Sequence, residues 1–295
     1  MKNAGYRLVY AFLWLLTLPP LRFLYLISDV LFLINYYIIK YRKTVVCQNL
    51  KNAFPEKSDK EISSIAKSFY LHLSDFLIES LKSIHLTRKQ VDKRMKFKNL
   101  ELFEELYHQN KDIALISGHY GNWEWSINLP EKIKHIPLVI YHPLKNAFSD
   151  ELINSLRSKF GMNMIPMNQI LREAIAKMKM DKRIMIWYLG DQRPPRNSKF
   201  WMKFLNQDTA FYLGAEKMAV KFNQAVVFMD IQKVKRGYYE AEFKLLFRDG
   251  KETSEHEITR TQANVLENII REKPDYWLWS HRRWKHKPPE NVENG

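Results

Sequence analysis

One cysteine, Cys47, in 295 residues excludes an internal disulfide and any cysteine-based zinc site. Flanked by apolar and basic residues, that lone thiol reads as a buried bystander rather than a nucleophile. Also missing is an uninterrupted apolar run of the ~20 residues that a membrane-spanning helix needs. No small-X-small site follows the apolar start, so a cleaved signal peptide is not expected. Acid is in short supply: 32 Asp and Glu face 47 Lys and Arg, a net charge of +15 at pH 7, so partners should be anionic. Nucleic acid, acidic phospholipid, a phosphorylated glycolipid or an acidic carrier protein would each satisfy that charge. The sequence carries no zinc-finger, helix-turn-helix or ribonucleoprotein motif, which ranks nucleic acid last.

What the chain does have begins at its start. No charge occurs from Leu8 to Leu21, and after Arg22 the apolar character continues through Val30 to Ile39 with only Asp29 intervening. Pro19-Pro20 should kink or break any helix there. The segment therefore reads as one tilted span carrying Arg22, as an interfacial helical hairpin, or as a buried helical pair. Lys40, Arg42, Lys43, Lys51 and Lys57 crowd its C-terminal side and outnumber Lys2 and Arg7, which puts the body of the protein on the cytoplasmic face. The implied division is a hydrophobic membrane-anchoring segment, residues 1–45, and a catalytic or binding domain, residues 46–295.

Beyond it, Asp59 to Ile84 carries a helical stripe (Ile62, Ile65, Ala66, Phe69, Leu73, Phe76, Leu77, Ser80, Leu81) that reads as core packing without chemistry. Strands and helices then alternate. Asp112–Ser117, Pro137–Tyr141, Asn163–Pro166 and Arg183–Leu189 read as strands, with helices over Asp150–Phe160, Asn168–Met180 and Thr209–Val220. Two further strands are expected over Ala225–Ile231 and Tyr239–Phe247. This pattern predicts an α/β fold, a mostly parallel central sheet flanked by helices. Functional groups then belong at the carboxyl ends of the strands.

The stretch Gly118-His119-Tyr120-Gly121-Asn122-Trp123-Glu124 sits at such an end. Its two glycines bracket the histidine in a tight turn, Asn122 reads as a helix N-cap, and Pro130 closes a short helix. In one continuous helix residues five apart point about 140° away from each other, but with His119 on the turn Glu124 can reach a ring nitrogen. That hydrogen bond would set the tautomer and leave the other nitrogen free as a base. Free backbone N–H groups at the helix start would suit an oxyanion or phosphate. His119 and Glu124 supply only two plausible metal ligands, so no metal is expected.

His-X4-Glu after a buried strand resembles the glycerolipid and lysophospholipid acyltransferases, and the glutamate version with tryptophan inside it looks most like the branch that acylates lipid A. Three further segments agree. Tyr41-Arg42-Lys43 leading to Asn49-Leu50 and Phe54-Pro55 resembles that branch's arginine-rich turn. Gly190-Asp191-Gln192 falls where the family carries Asp-Gln. Trp277-Leu278-Trp279-Ser280-His281-Arg282-Arg283-Trp284-Lys285 is similar to its C-terminal Trp-X-His-Arg-Arg-aromatic-Lys signature. In Phe200–Gln207, Asn206 replaces the family's glycine, a residue that tolerates the left-handed conformation.

The resemblance implies a membrane-bound O-acyltransferase on the cytoplasmic face of the inner membrane. It would move a fatty acyl group from acyl carrier protein, with no cofactor, to a hydroxyl on a chain of an anionic lipid A precursor. His119 and Glu124 would be catalytic, with Arg157, Asp191, Gln192 and Asn122 at the substrate. On residues alone, Asp191 reads equally as a turn-stabilising side chain and Arg157 as a solvated helix arginine. The tail would be a membrane-interface or nucleic-acid surface, or plain packing. Two alternatives to the lipid A reading remain. One is an acyltransferase using coenzyme A on a phospholipid or aminolipid, and the other is a non-catalytic basic protein that docks on membranes.

Overall fold

The computed structural model describes residues 4–196 and 198–288. Residues 289–295, the end of the expected second unit, lie outside them. Helix α1 (Ala4–Leu16) stops ahead of Pro19-Pro20, and α2 (Leu21–Leu33) restarts after them and continues through a π-helical stretch to Ile39. The break leaves carbonyls without intrahelical partners. Lys82 satisfies them, its ammonium donating to the carbonyls of Thr17 (2.7 Å), Leu18 (3.2 Å) and Pro19 (2.9 Å). Leu21–Ile39 is long and apolar enough to cross a membrane by length and composition, and only 22% of that window is buried. Leu8 (73% exposed), Phe12, Leu15, Leu26 and Ile38 (74%) turn outward.

The inner face of α2 is tied to α4 (Asp59–Lys82), which follows α3 (Lys43–Ala53) and opens on a capping box between Ser58 and Glu61. Tyr25 donates to Glu79 (2.8 Å), Ser28 donates to Asp75 (2.8 Å), and Arg236 joins Asp75 to Asp29. The hydrophobic segment is therefore bonded to the body along one side. Most of the helical stripe of α4 is core, as its periodicity implies, though Leu77 is 48% exposed, and the same helix buries His72, Asp75 and Glu79. Cys47 is half-buried on α3 and packs against the core.

After α5 (Arg88–Arg94) come β1 (Met95–Lys98), α6 (Glu101–His108) and β2 (Ile113–Ser117). A 3₁₀ helix spans Trp123–Lys132, with Pro130 inside it rather than at its end. Then follow β3 (Ile136–Tyr141), α7 (Ala147–Ser158), β4 (Asn163–Pro166), α8 (Ile170–Lys179) and β5 (Ile184–Leu189). The sheet is completed by two further strands after an intervening hairpin. That hairpin joins β6 (Trp201–Phe204) to β7 (Gln207–Ala210). Its two turn residues, Leu205 (φ 51°) and Asn206 (φ 62°), are left-handed, the geometry of a tight two-residue loop. The helix expected from Thr209 consequently begins later, as α9 (Gly214–Phe222), because Thr209 and Ala210 are paired to Met202 and Trp201.

With β8 (Ala225–Lys235), β9 (Tyr238–Phe247) and α10 (Glu257–Glu272) the seven strands run in the order β1-β9-β8-β2-β5-β3-β4. All pairs are parallel except β8 with β9. Helices cover both faces, so β2 is buried at every position. Ala114 and Ile116 enter one core layer, Ile113 and Leu115 the other. That is why the strand reads as a continuous rather than alternating apolar run.

Candidate active site

Register alone assembles the centre of the site. Ser117 of β2 pairs with Leu189 of β5, so His119 and Asp191, each two residues past that pair, emerge side by side at the carboxyl ends of neighbouring strands. Asp191 accepts from His119 twice: from the ring Nδ1 at 2.5 Å and from the backbone N–H at 2.8 Å. Trp277 Nε1 donates to the same carboxylate at 2.7 Å. Burial alone would raise the Asp191 pKa, but the neighbouring imidazole and these hydrogen bonds hold it down at about 2. A carboxylate fixed on Nδ1 presents the lone pair of Nε2 outward. The amide of Gln192 now covers that nitrogen at 3.1 Å.

This corrects the partner expected from sequence. Glu124 does not reach His119. Its carboxylate accepts from Arg157 through Nε (2.9 Å) and Nη2 (2.5 Å), and from Trp123 Nε1 (3.1 Å). Burial would raise Glu124, but the guanidinium outweighs it and the pKa is lowered. The Trp123 ring stands edge-on to His119 with centroids 5.0 Å apart. The histidine thus lies between two carboxylates and bonds to the one from the distant strand. Arg157 is not a solvated helix arginine; it is held in this pair on α7.

Asn122 caps the 3₁₀ helix as its position implies, accepting from Trp125 N–H at 3.2 Å. Its Nδ2 donates to Glu79 (2.7 Å), and with 0% exposure it has no face left for a substrate, so it belongs to the scaffold and not to the binding surface. Three of the backbone donors around the turn are engaged within the protein. The N–H of His119 goes to Asp191, that of Gly121 to the Tyr276 carbonyl (3.1 Å) and that of Trp125 to Asn122. Sequence reasoning also passed over Glu79. It accepts from Tyr25, Asn122 and Tyr239 (2.8 Å), while its carbonyl takes Trp125 Nε1 (3.0 Å). The signal was legible: His72, Asp75, Glu79 and Lys82 recur at helical spacing along an otherwise apolar stripe.

The C-terminal aromatic-basic segment clamps the turn. Leu278 N–H donates to the His119 carbonyl (3.1 Å), and Tyr120 pairs with Trp277. Asn49 in turn donates to the carbonyls of Trp279 (2.9 Å) and His281 (3.1 Å), so two segments picked out separately in the sequence hold each other. Burial lowers His281 to about 4, and the neutral ring accepts the Arg193 N–H at 3.1 Å. Arg283, lowered to about 10 by burial, donates to the Ala210 carbonyl. This part of the tail is packing.

A cavity of about 480 Å³ opens beside the dyad, walled by Ile116, Ile140, Ile170, Met218 and Ile258, and its polar edge includes His119, Arg157 and Gln192. An apolar pocket with a few convergent polar groups is the usual form of a small-molecule site, and this one suits a hydrocarbon chain whose reactive end meets His119. Among the described residues no three His, Cys, Asp or Glu side chains are grouped to hold a metal ion.

The chain matches the family described as bacterial lipid A biosynthesis acyltransferase over residues 1–286. It is 21% identical over 237 residues to lipid A biosynthesis acyltransferase 2 of Shigella flexneri, covering 78% of this chain and 74% of that one. To the lipid A biosynthesis palmitoleoyltransferase of Escherichia coli (strain K12) it is 20% identical over 253 residues, 85% of this chain and 81% of the other. To the lauroyltransferase of the same strain it is 23% identical over 279 residues, 94% and 90%.

Proposed function

The chain belongs to the bacterial lipid A biosynthesis acyltransferases, and we propose that it transfers a fatty acyl group from acyl carrier protein to a hydroxyl of a lipid A precursor, with His119 as general base. The observation that carries this reading is a His119–Asp191 pair opening onto an apolar cavity. Nε2 takes the proton of the acceptor hydroxyl, whose oxygen attacks the thioester carbonyl. The tetrahedral species collapses with loss of the carrier's thiolate, and the proton passes from Nε2 to that leaving group. Gln192, at 3.1 Å from Nε2, occupies the place the hydroxyl must take, so it gives way on acceptor binding. The chemistry needs neither a covalent enzyme intermediate nor a metal.

The net charge of +15 suits an acidic carrier protein and an anionic glycolipid. The outward apolar faces of α1 and α2, followed by Lys40, Arg42 and Lys43, suit an interfacial hairpin seated in the cytoplasmic leaflet of the inner membrane. Purified protein in detergent, given acyl carrier protein or coenzyme A thioesters and a lipid A precursor, should add one acyl mass to the precursor from the carrier-bound donor. Acylation of a phospholipid from coenzyme A with no lipid A product would overturn the assignment.

The membrane reading has its own expected outcome. Hydrophobic burial is not weakened by salt, whereas attraction to anionic headgroups is screened over a Debye length of about 10 Å at 0.1 M. The protein should stay with membranes through a high-salt wash and leave in detergent, while acylation slows as ionic strength rises. Complete recovery in the salt supernatant would remove the hairpin from this account.

A further inference from the structure

Helix α10 comes close to the strand ends that carry the dyad, and the missing side chain of Gly118 makes room for it. A Cβ on Gly118 would lie 2.7 Å from Leu266 Cδ1, and one on Gly190 would lie 3.9 Å from Gln262 Oε1. Gln262 is one helical turn before Leu266, on the same face. It is only 6% exposed and lines the cavity that His119 and Gln192 also line. Among the described residues nothing hydrogen-bonds to its carboxamide. Its neighbour Thr259, by contrast, donates to Glu216 at 2.5 Å. Its polar atoms open onto the cavity, and an amide with no protein partner that faces an apolar cavity beside His119 is available to a ligand atom.

Several of the donors around His119 are already engaged. His119, Gly121 and Trp125 have their N–H groups committed, and Arg157 is joined to Glu124 through two nitrogens. We propose that the Gln262 amide is the oxyanion donor of the acyl-transfer step, an assignment that rests on the acyl-transfer reading above. As the acceptor oxygen bonds to the thioester carbon, the carbonyl π pair moves onto oxygen and the hydroxyl proton moves to Nε2. Gln262 N–H donates to that oxygen until the C–S bond breaks and the carbonyl reforms. A neutral donor in a mostly apolar cavity stabilises developing charge strongly, without a buried cation to compensate before the reaction.

Gln262→Met keeps length and apolar volume and removes the donor. With an acyl carrier protein thioester and a lipid A precursor, kcat should fall by the roughly 10²-fold of a lost oxyanion donor, with KM and thermal midpoint little changed. Gln262→Glu, close to isosteric, places a negative charge beside the oxyanion and should lose more. Slow hydrolysis of the same thioester without acceptor lipid passes through an equivalent oxyanion and should fall in parallel. A fall in hydrolysis with no lipid A product from the wild type would sink the acceptor reading and leave Gln262 standing. A Met variant that keeps half or more of its kcat, or one with a raised KM alone, would overturn the proposal.

Discussion

Asp191→Asn is expected to lower kcat by roughly 10²–10⁴ while leaving the fold in place, a loss approaching that of His119→Ala. Asn offers one hydrogen-bond face of each kind. To keep the Trp277 and backbone donors on its oxygen it must present NH₂ to Nδ1. That forces the proton onto Nε2, the nitrogen that accepts from the substrate hydroxyl in the proposed mechanism. Asp191 has a folded pKa of about 2, below its ordinary value near 3.9, so its contribution to stability is complete above about pH 4 and fades as pH falls toward 2. Steady-state kinetics of the two variants with matched thermal melts decide the matter. Wild-type turnover in folded Asp191→Asn would show that the carboxylate does not orient the base.

The contrast with Glu124 shows what the chain made legible. The strands of β2 and β5, the turn bracketed by Gly118 and Gly121, the N-cap at Asn122 and the left-handed Asn206 all follow from local chemistry, and all are found. The orienting carboxylate does not, because Glu124 is five residues from His119 while Asp191 is 72 away. Only the parallel pairing of Ser117 with Leu189 makes the second one adjacent, and no local periodicity says which strands are neighbours. The same limit hid Gln262, which reads as one polar position on an amphipathic helix until α10 is laid over Gly118 and Gly190. It also hid the mutual grip of Asn49 and the C-terminal tail. The hairpin at Trp201–Ala210 was missed for another reason, since a left-handed Leu205 has no composition signal.

The remaining large effect falls on Glu124, and it is expected in stability before it appears in chemistry. Glu124 and Arg157 are 16% and 24% exposed at their side chains, so each has given up most of its hydration for the other. Glu124→Leu leaves the guanidinium at the cavity edge without its counter-charge. The expected cost is about 2–3 kcal/mol, less than the roughly 3–5 kcal/mol of a fully buried pair because some water contact remains. Arg157→Met should cost a similar amount, for the mirror-image reason. The double variant should lose distinctly less than the sum, since replacing both partners removes the desolvation along with the attraction. The lowered Glu124 pKa sets the direction with pH: the pair's contribution is complete above the ordinary glutamate value near 4.3 and fades as pH falls through the lower folded value. Denaturant unfolding of the three variants at pH 7 and pH 4 would measure both. Additive losses would mean that the two side chains act separately, and Glu124 would then be free to serve His119 after all. A coupled pair instead makes Glu124 the residue that holds Arg157 at the cavity edge, which is a structural reason for the glutamate in His-X4-Glu that does not require it to touch the histidine.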